Sequence, residues 1–187
     1  MIVRRVFLLA FASALIAAFG CSGGSDDNGG GTPPAIVCTD GGAAAANGVT
    51  LTCGGASDSN TEQVGVVMGG PASGTTTLRG LNFDVTYDPL KLDFVPAGTY
   101  LSALFPSALI AVQLANGQPG RVVVSIQEIG GNPDVAVGMG QHAVLTLAFA
   151  RASGTTFVPT PLALENAEAT DPSAAIVFSS TLALSYP

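Results

Sequence analysis

The chain contains no tryptophan, one histidine and one lysine among its 187 residues, and only 10% of those residues are charged. Each shortage excludes something. With no Trp and three Tyr there is little aromatic surface to stack on sugar rings. The single histidine, His142, has no second histidine to share a metal or a catalytic dyad with, and it reads as a strand-edge residue. No G-x-S-x-G elbow occurs. The 24 glycines never form the strand, Gly-rich loop, Lys and helix series of a phosphate site. Glu62, Glu128, Glu165 and Glu168 are scattered, and nothing ties a pair of them to one cleft as glycoside hydrolysis requires. No catalytic residue is assigned, and the chain reads as non-enzymatic.

Positive charge is also short. Six Lys and Arg stand against 13 Asp and Glu, and two of the six, Arg4 and Arg5, precede Cys21. From Cys21 onward the net charge is 4 − 13 = −9. Such a surface opposes nucleic-acid binding, which needs Lys and Arg to displace counterions. Helical patterns of 10–15 residues between strands are lacking as well, which excludes a parallel α/β fold.

What is present begins with a targeting segment, residues 1–20. Arg4 and Arg5 give a charged start, and Val6–Phe19 is an apolar run too short to span a bilayer. The Gly20-Cys21 junction resembles a bacterial lipoprotein signal, in which the cysteine becomes the lipidated N-terminus. Ala18 and Phe19 depart from that pattern. The resemblance implies an exported chain anchored by acyl chains to the cell envelope, with no span of its own. Residues 21–48 read as a flexible Gly/Ser/Ala-rich tether. Once Cys21 carries lipid, Cys38 and Cys53 are the remaining thiols in an oxidising compartment, and they are expected to pair.

From Val49 to the C-terminus short strands alternate with Gly, Pro and Asn breaks. They are expected at Val49–Cys53, Val64–Met68, Leu81–Tyr87, Asp93–Val95, Leu109–Leu114, Arg121–Gln127, Ala143–Ala150, Leu162–Leu164 and Ile176–Ser185. One helical turn is expected within Tyr100–Ser107. This is an all-β pattern for a sandwich or barrel. The clearest stretch is Leu81–Gly98, LNFDVTYDPLKLDFVPAG. Its alternation sends Leu81, Phe83, Val85 and Tyr87 inward and Asn82, Asp84, Thr86 and Asp88 outward. Asp88-Pro89 then stops the strand in a turn whose backbone the aspartate can bond. The same parity puts Phe94, Ile110, Val112, Leu114, Val122, Val124, Ile126, Leu145, Leu147, Phe149, Val177 and Leu182 inward. Leu109, Ala111, Gln113, Val123, Ser125, Gln127, Thr146 and Ala148 fall outward.

FDVTYDPLKLDFVPAG resembles the strand–turn–strand signature of cohesin domains. Further segments follow in the family's order: Gly120–Glu128, Gly138–Arg151, Pro161–Asp171 and Ile176–Tyr186. The resemblance covers about Val49 to Tyr186. It implies a nine-stranded β-sandwich of jelly-roll topology. It also implies a sheet face that binds a dockerin, a small calcium-dependent helical module of another protein, often a polysaccharide-degrading enzyme. The strands of that face would be Leu81–Tyr87, Leu109–Leu114, Arg121–Gln127 and Ala143–Ala150. Its contacts would be Asn82, Asp84, Thr86, Gln113, Val123, Ser125 and Gln127. The alternatives are direct carbohydrate binding by the same fold and a structural envelope lipoprotein without a specific ligand. Asp88, Asp134 and Asp171 are loop carboxylates of a kind calcium accepts, but without a dense Asp-x-Asp-x-Asp loop they read as turn residues, and no cofactor is expected.

Lipidation has a direct check. Mass spectrometry of the mature protein is expected to find a diacylglyceryl cysteine at position 21 as its first residue, and an unmodified start elsewhere would refute the anchor.

Overall fold

The computed structural model describes residues 36–40, 42–56, 58–129, 134–154, 160–169, 177–178 and 181–185. The signal segment, Cys21, Asp171 and Tyr186 lie outside these residues, as do the side chains of Val177 and Leu182. The strands are β1 (Val37–Thr39), β2 (Gly48–Ala56), β3 (Thr61–Gly69), β4 (Thr76–Leu78), β5 (Gly80–Thr86), β6 (Leu92–Phe94), β7 (Tyr100–Leu101), β8 (Ala108–Leu114), β9 (Arg121–Glu128), β10 (Val135–Val137), β11 (Gln141–Arg151), β12 (Thr160–Ala169), β13 (Val177–Phe178) and β14 (Thr181–Ser185). Each of the nine expected strands is represented, the last as two pieces. β1, β4, β7 and β10 are additional short strands, too brief for an alternation to declare itself.

Two sheets face each other. The first runs β1-β14-β12-β5-β9-β8, and the second runs β13-β2-β3-β11-β6 with β7 also on β11. A ribbon of β10 and β4 stands apart from both. Period-two alternation makes the core. Leu81, Phe83 and Val85 of β5, with Val122, Val124 and Ile126 of β9, pack with Val64, Val66 and Met68 of β3 and Leu145, Leu147 and Phe149 of β11. All of these side chains are buried.

The Tyr87-Asp88-Pro89 corner carries the chain from one sheet to the other. Asp88 Oδ1 accepts from the Leu90 N–H at 2.9 Å, and Asp88 O accepts from Lys91 and Leu92 at 3.0 Å each. The Tyr87 ring meets Phe149 of β11 edge-on, with centroids 5.2 Å apart. Gly120 lies against this corner with φ +83°, and a Cβ there would sit 2.4 Å from Tyr87 O. Only glycine fits both constraints.

Four expectations need correction. The tether is expected to reach residue 48, yet β1 pairs with β14, and Ile36 and Ala44 are buried, so the domain begins by residue 36. Cys38 and Cys53 are disulfide-bonded with Cα atoms 5.7 Å apart. That bond attaches β1 to β2 and closes a loop whose constraint is about 3 kcal/mol in the chain-entropy model. The single helical turn falls at Pro96–Gly98, before the expected window, and Tyr100–Leu101 is extended. That 3-10 turn covers Ala148, which is therefore buried, although its parity points out of the sheet. Finally, Ile110 and Leu114 have the inward parity but remain 37% and 53% exposed. Among the described residues β8 is the last strand of its sheet, at the edge of the core.

β3 also carries an ionisable group on its inner side. Glu62 shares the parity of Val64, Val66 and Met68, and it is buried. Burial pushes its carboxyl above the ordinary 4.5, while the Gly55 N–H donated to Oε1 at 3.1 Å pulls the other way. A raised folded-state value means that this group's contribution is fully present below the ordinary value and is lost as pH rises through the folded one. Glu62→Gln cannot ionise. The Tm of the variant relative to the parent is therefore expected to rise between pH 4 and pH 7. A difference that stays constant across that range would contradict the burial argument.

Candidate functional site

The candidate part of the first sheet's outer face is built by four of its strands, in the order β12-β5-β9-β8. This corrects the expected set. Gln141–Arg151 belongs to the other sheet, where its backbone ladders are taken by β3 and β6. β12 occupies the place assigned to it. Thr146 and Ala148 therefore lie on the far sheet, away from the candidate face.

Register fixes who stands beside whom. Asn82 is opposite Ser125, Asp84 opposite Val123, and Thr86 opposite Arg121. Across the next ladder, Leu109 is opposite Gln127, Ala111 opposite Ser125, and Gln113 opposite Val123. On the other side, Glu165 is opposite Asp84 and Glu168 opposite Asn82. The structure thus brings Asn82, Asp84, Thr86, Gln113, Val123, Ser125 and Gln127 together on one surface. Gln127 and Gln113 are exposed; Asn82, Thr86, Val123 and Ser125 are half-buried.

Asp84 differs from the rest. It is only 9% exposed, and its carboxylate is occupied. Asn166 Nδ2 donates to Asp84 Oδ2 at 2.8 Å, and Arg121 Nη1 lies 3.6 Å from the same oxygen. Arg121 Nη2 donates to Glu165 Oε2 at 2.5 Å, and Thr86 Oγ1 donates to Glu165 Oε1 at 3.4 Å. Arg121 also reaches Gln118 Oε1 at 3.2 Å. Ser125 Oγ donates to Asn82 Oδ1 at 2.6 Å. Asp84, expected as a contact for a partner, has a structural role here: it anchors a network across β5, β9 and β12. A β-bulge makes this possible. The register of β12 on β5 shifts between Glu165 and Glu168, and Asn166 takes φ +50° there. Asn tolerates that backbone region better than most side chains, and the bulge re-aims its amide at Asp84.

Sequence parity also places Arg121 on this face, since it has the same parity as Val123, Ser125 and Gln127. Asn166 gave no such signal, because a bulge breaks the period. The accessible parts of the face are then Leu109, Ala111, Gln113, Gln127, Glu165 and Glu168, with Val123 and Ser125 at the centre. Among its charged side chains, Asp84, Glu165 and Glu168 outnumber Arg121.

The other singled-out residues are placed elsewhere. His142 Nε2 lies 2.9 Å from Gly138 O. Asp88 caps its own turn, and Asp134 pairs with Arg79 at 3.0 Å. A groove of about 500 Å³ beside Ser107 has Glu128 and Asp134 on its wall. Tyr100 is exposed, but Tyr87 packs inward against Phe149. Among the described residues, no group of three His, Cys, Asp or Glu is placed to hold a metal ion.

No protein-family model matches the sequence, and no curated protein does. Solved structures do match. The sixth cohesin of scaffoldin B from Acetivibrio cellulolyticus, solved in complex with a dockerin, aligns over 71% of this chain and 93% of its own, with TM-score 0.54 and 12% identity. A cohesin of a type I cohesin–dockerin complex from Clostridium thermocellum aligns over 73% of this chain and 91% of its own, with TM-score 0.53 and 10% identity. Another from the same organism, also in a type I complex, aligns over 77% and 94%, with TM-score 0.51 and 13% identity. At these identities the likeness is one of fold. The chain has the cohesin β-sandwich fold.

The face assignment has a direct test in neighbouring residues. Val123 projects from the face, whereas Val124 is fully buried. Val123→Arg is expected to keep Tm within a few degrees, because the new charge stays in water. Val124→Arg buries an unpaired charge, at a cost of several kcal/mol, and is expected to prevent folding. If Val123→Arg unfolds the domain and Val124→Arg does not, the faces are inverted.

Proposed function

We propose that this chain is a non-enzymatic interaction module whose β12-β5-β9-β8 face binds a dockerin-type module of a partner protein. The observation that carries this reading is the cohesin fold combined with an outer face whose strands are cross-linked by the Asp84 network. The solved cohesins of similar fold are themselves recorded in complexes with dockerins. Val123 and Leu109 supply apolar area, Gln113, Ser125 and Gln127 supply polar groups, and no charge stands unpaired at the centre. An excess of carboxylates over the single Arg121 suits a neutral to basic partner surface. A network that is already formed before binding lowers the ordering cost of association.

The anchor completes the proposal. Lipid on Cys21 would hold the exported chain at the envelope, and the tether would present the domain outward. The setting would be an extracellular assembly related to polysaccharide breakdown. Direct glycan binding is the weaker reading, since Tyr100 is the exposed tyrosine among the described residues and lies on the second sheet.

The test uses the exported chain with Cys21→Ser. Isothermal titration against calcium-loaded dockerin modules from the parent organism is expected to show saturable binding that Val123→Arg abolishes and that a calcium chelator removes. Retention on insoluble polysaccharide with no response to any dockerin would overturn the proposal in favour of a carbohydrate-binding module. Silence to both would leave the structural lipoprotein as the surviving reading.

A further inference from the structure

The edges of the two sheets are unequal. β1, β6 and β13 have three, three and two residues. β8 has seven, and among the described residues it pairs with β9 alone. Its sequence, ALIAVQL, contains no charge and no proline, and its ladder to β9 has no bulge. These are the devices by which edge strands ordinarily block further pairing, and β8 has none of them.

The ladder shows which backbone groups are open. In an antiparallel pair, residues that exchange hydrogen bonds alternate with residues that do not. Ala115 N–H donates to Arg121 O at 2.9 Å, so Gln113, Ala111 and Leu109 share its phase and bond to β9. Tyr87 N–H donates to Gly120 O at 2.8 Å and Glu128 N–H to Arg79 O at 2.9 Å, which gives β9's even-numbered residues to β5 and confirms the phase. Ile110, Val112 and Leu114 therefore point their N–H and C=O groups away from the sheet. All three also carry partly exposed apolar side chains, Ile110 and Leu114 the more so.

We propose that β8 is a self-association edge and that its occupant is β8 of a second copy, antiparallel across a two-fold axis at Val112. In that register Val112 faces Val112 of the copy, and Ile110 faces its Leu114. All three open residues fall in the hydrogen-bonded phase, with each pair exchanging both N–H···O bonds. The same register sets Ile110 against Leu114 on one side of the sheet and Ala111 against Gln113 on the other. No charge meets a like charge, although the chain from Cys21 carries a net −9 that would repel a copy over most other surfaces. Specific stable interfaces bury about 1,200–2,000 Å². One edge of seven residues gives less, so the dimer is a weak, concentration-dependent one. The candidate faces of both copies would join in one continuous sheet, side by side. This inference does not depend on what those faces bind.

Sedimentation velocity of the exported chain with Cys21→Ser, over a concentration series, reads the association. The expected result is a reversible monomer–dimer equilibrium. Val112→Pro removes an N–H that, among the described residues, points away from β9, and Ile110→Lys puts a charge on the edge. Both are expected to leave Tm nearly unchanged and to shift the dissociation constant at least tenfold. If either variant fails to fold, amide exchange of the parent serves instead, with protection at Ile110, Val112 and Leu114 rising with concentration. A parent that is monomeric throughout overturns the proposal, and so does a dimer that both variants retain. A monomeric parent whose β8 amides become protected only when a partner protein is added assigns the edge to a foreign strand, and that also overturns it.

Discussion

The outer face of the first sheet is organised by the need to satisfy one carboxylate. Asp84 sits in the middle strand with almost no access to water. A buried charge persists only where partners replace its hydration. The partners come from the strands on either side, Arg121 from β9 and Asn166 from β12. The network therefore ties three neighbouring strands together, and the bulge in β12 is what brings Asn166 to it. Removing one partner of such a group typically costs about 3–5 kcal/mol, because the other is left buried and unpaired. The more exposed Arg121–Glu165 pair belongs nearer the surface value of about 0–1 kcal/mol. Asp84 is thus the part of the face most tied to stability and least free to bind.

The two sheets are held together by a different chemistry. Tyr87 leaves the end of β5 and lays its ring on Phe149, which also meets Phe94 with centroids 5.7 Å apart. The YDP corner is therefore both the turn that changes sheets and the aromatic contact that joins them. Gly120 lets the chain pass close beside it. At the other end, the Cys38–Cys53 bond ties the short edge strand β1 to β2. Among the described residues, edges that are short or covalently tied leave β8 as the long open one.

Alternation made most of this legible. Strict period two across Leu81–Tyr87 and Arg121–Gln127 gave both faces of β5 and β9, and the Asp88 turn followed from residue chemistry alone. Three kinds of feature were not legible. Sheet membership is the first: the alternation of Ala143–Ala150 is equally good in either sheet, and only the ladder to β3 shows which it joined. Bulges are the second. They put Val144 and Leu145 both in the core and turned Asn166 toward Asp84, and neither has a periodic trace. Coverage is the third. Parity gives the direction of Ile110, Leu114 and Ala148, but not whether another element lies over them.

The central claim is that the β12-β5-β9-β8 face takes the partner. Chemical-shift mapping of the isotope-labelled chain, titrated with a calcium-loaded dockerin module that binds it, tests this residue by residue. The account predicts that perturbed amides cluster at Leu109–Gln113, Val123–Gln127, Asn82–Thr86 and the Glu165 bulge, with β2 and β3 unmoved. Perturbations concentrated on β2 and β3, or on the Ser107–Glu128 groove with the face unchanged, would contradict it.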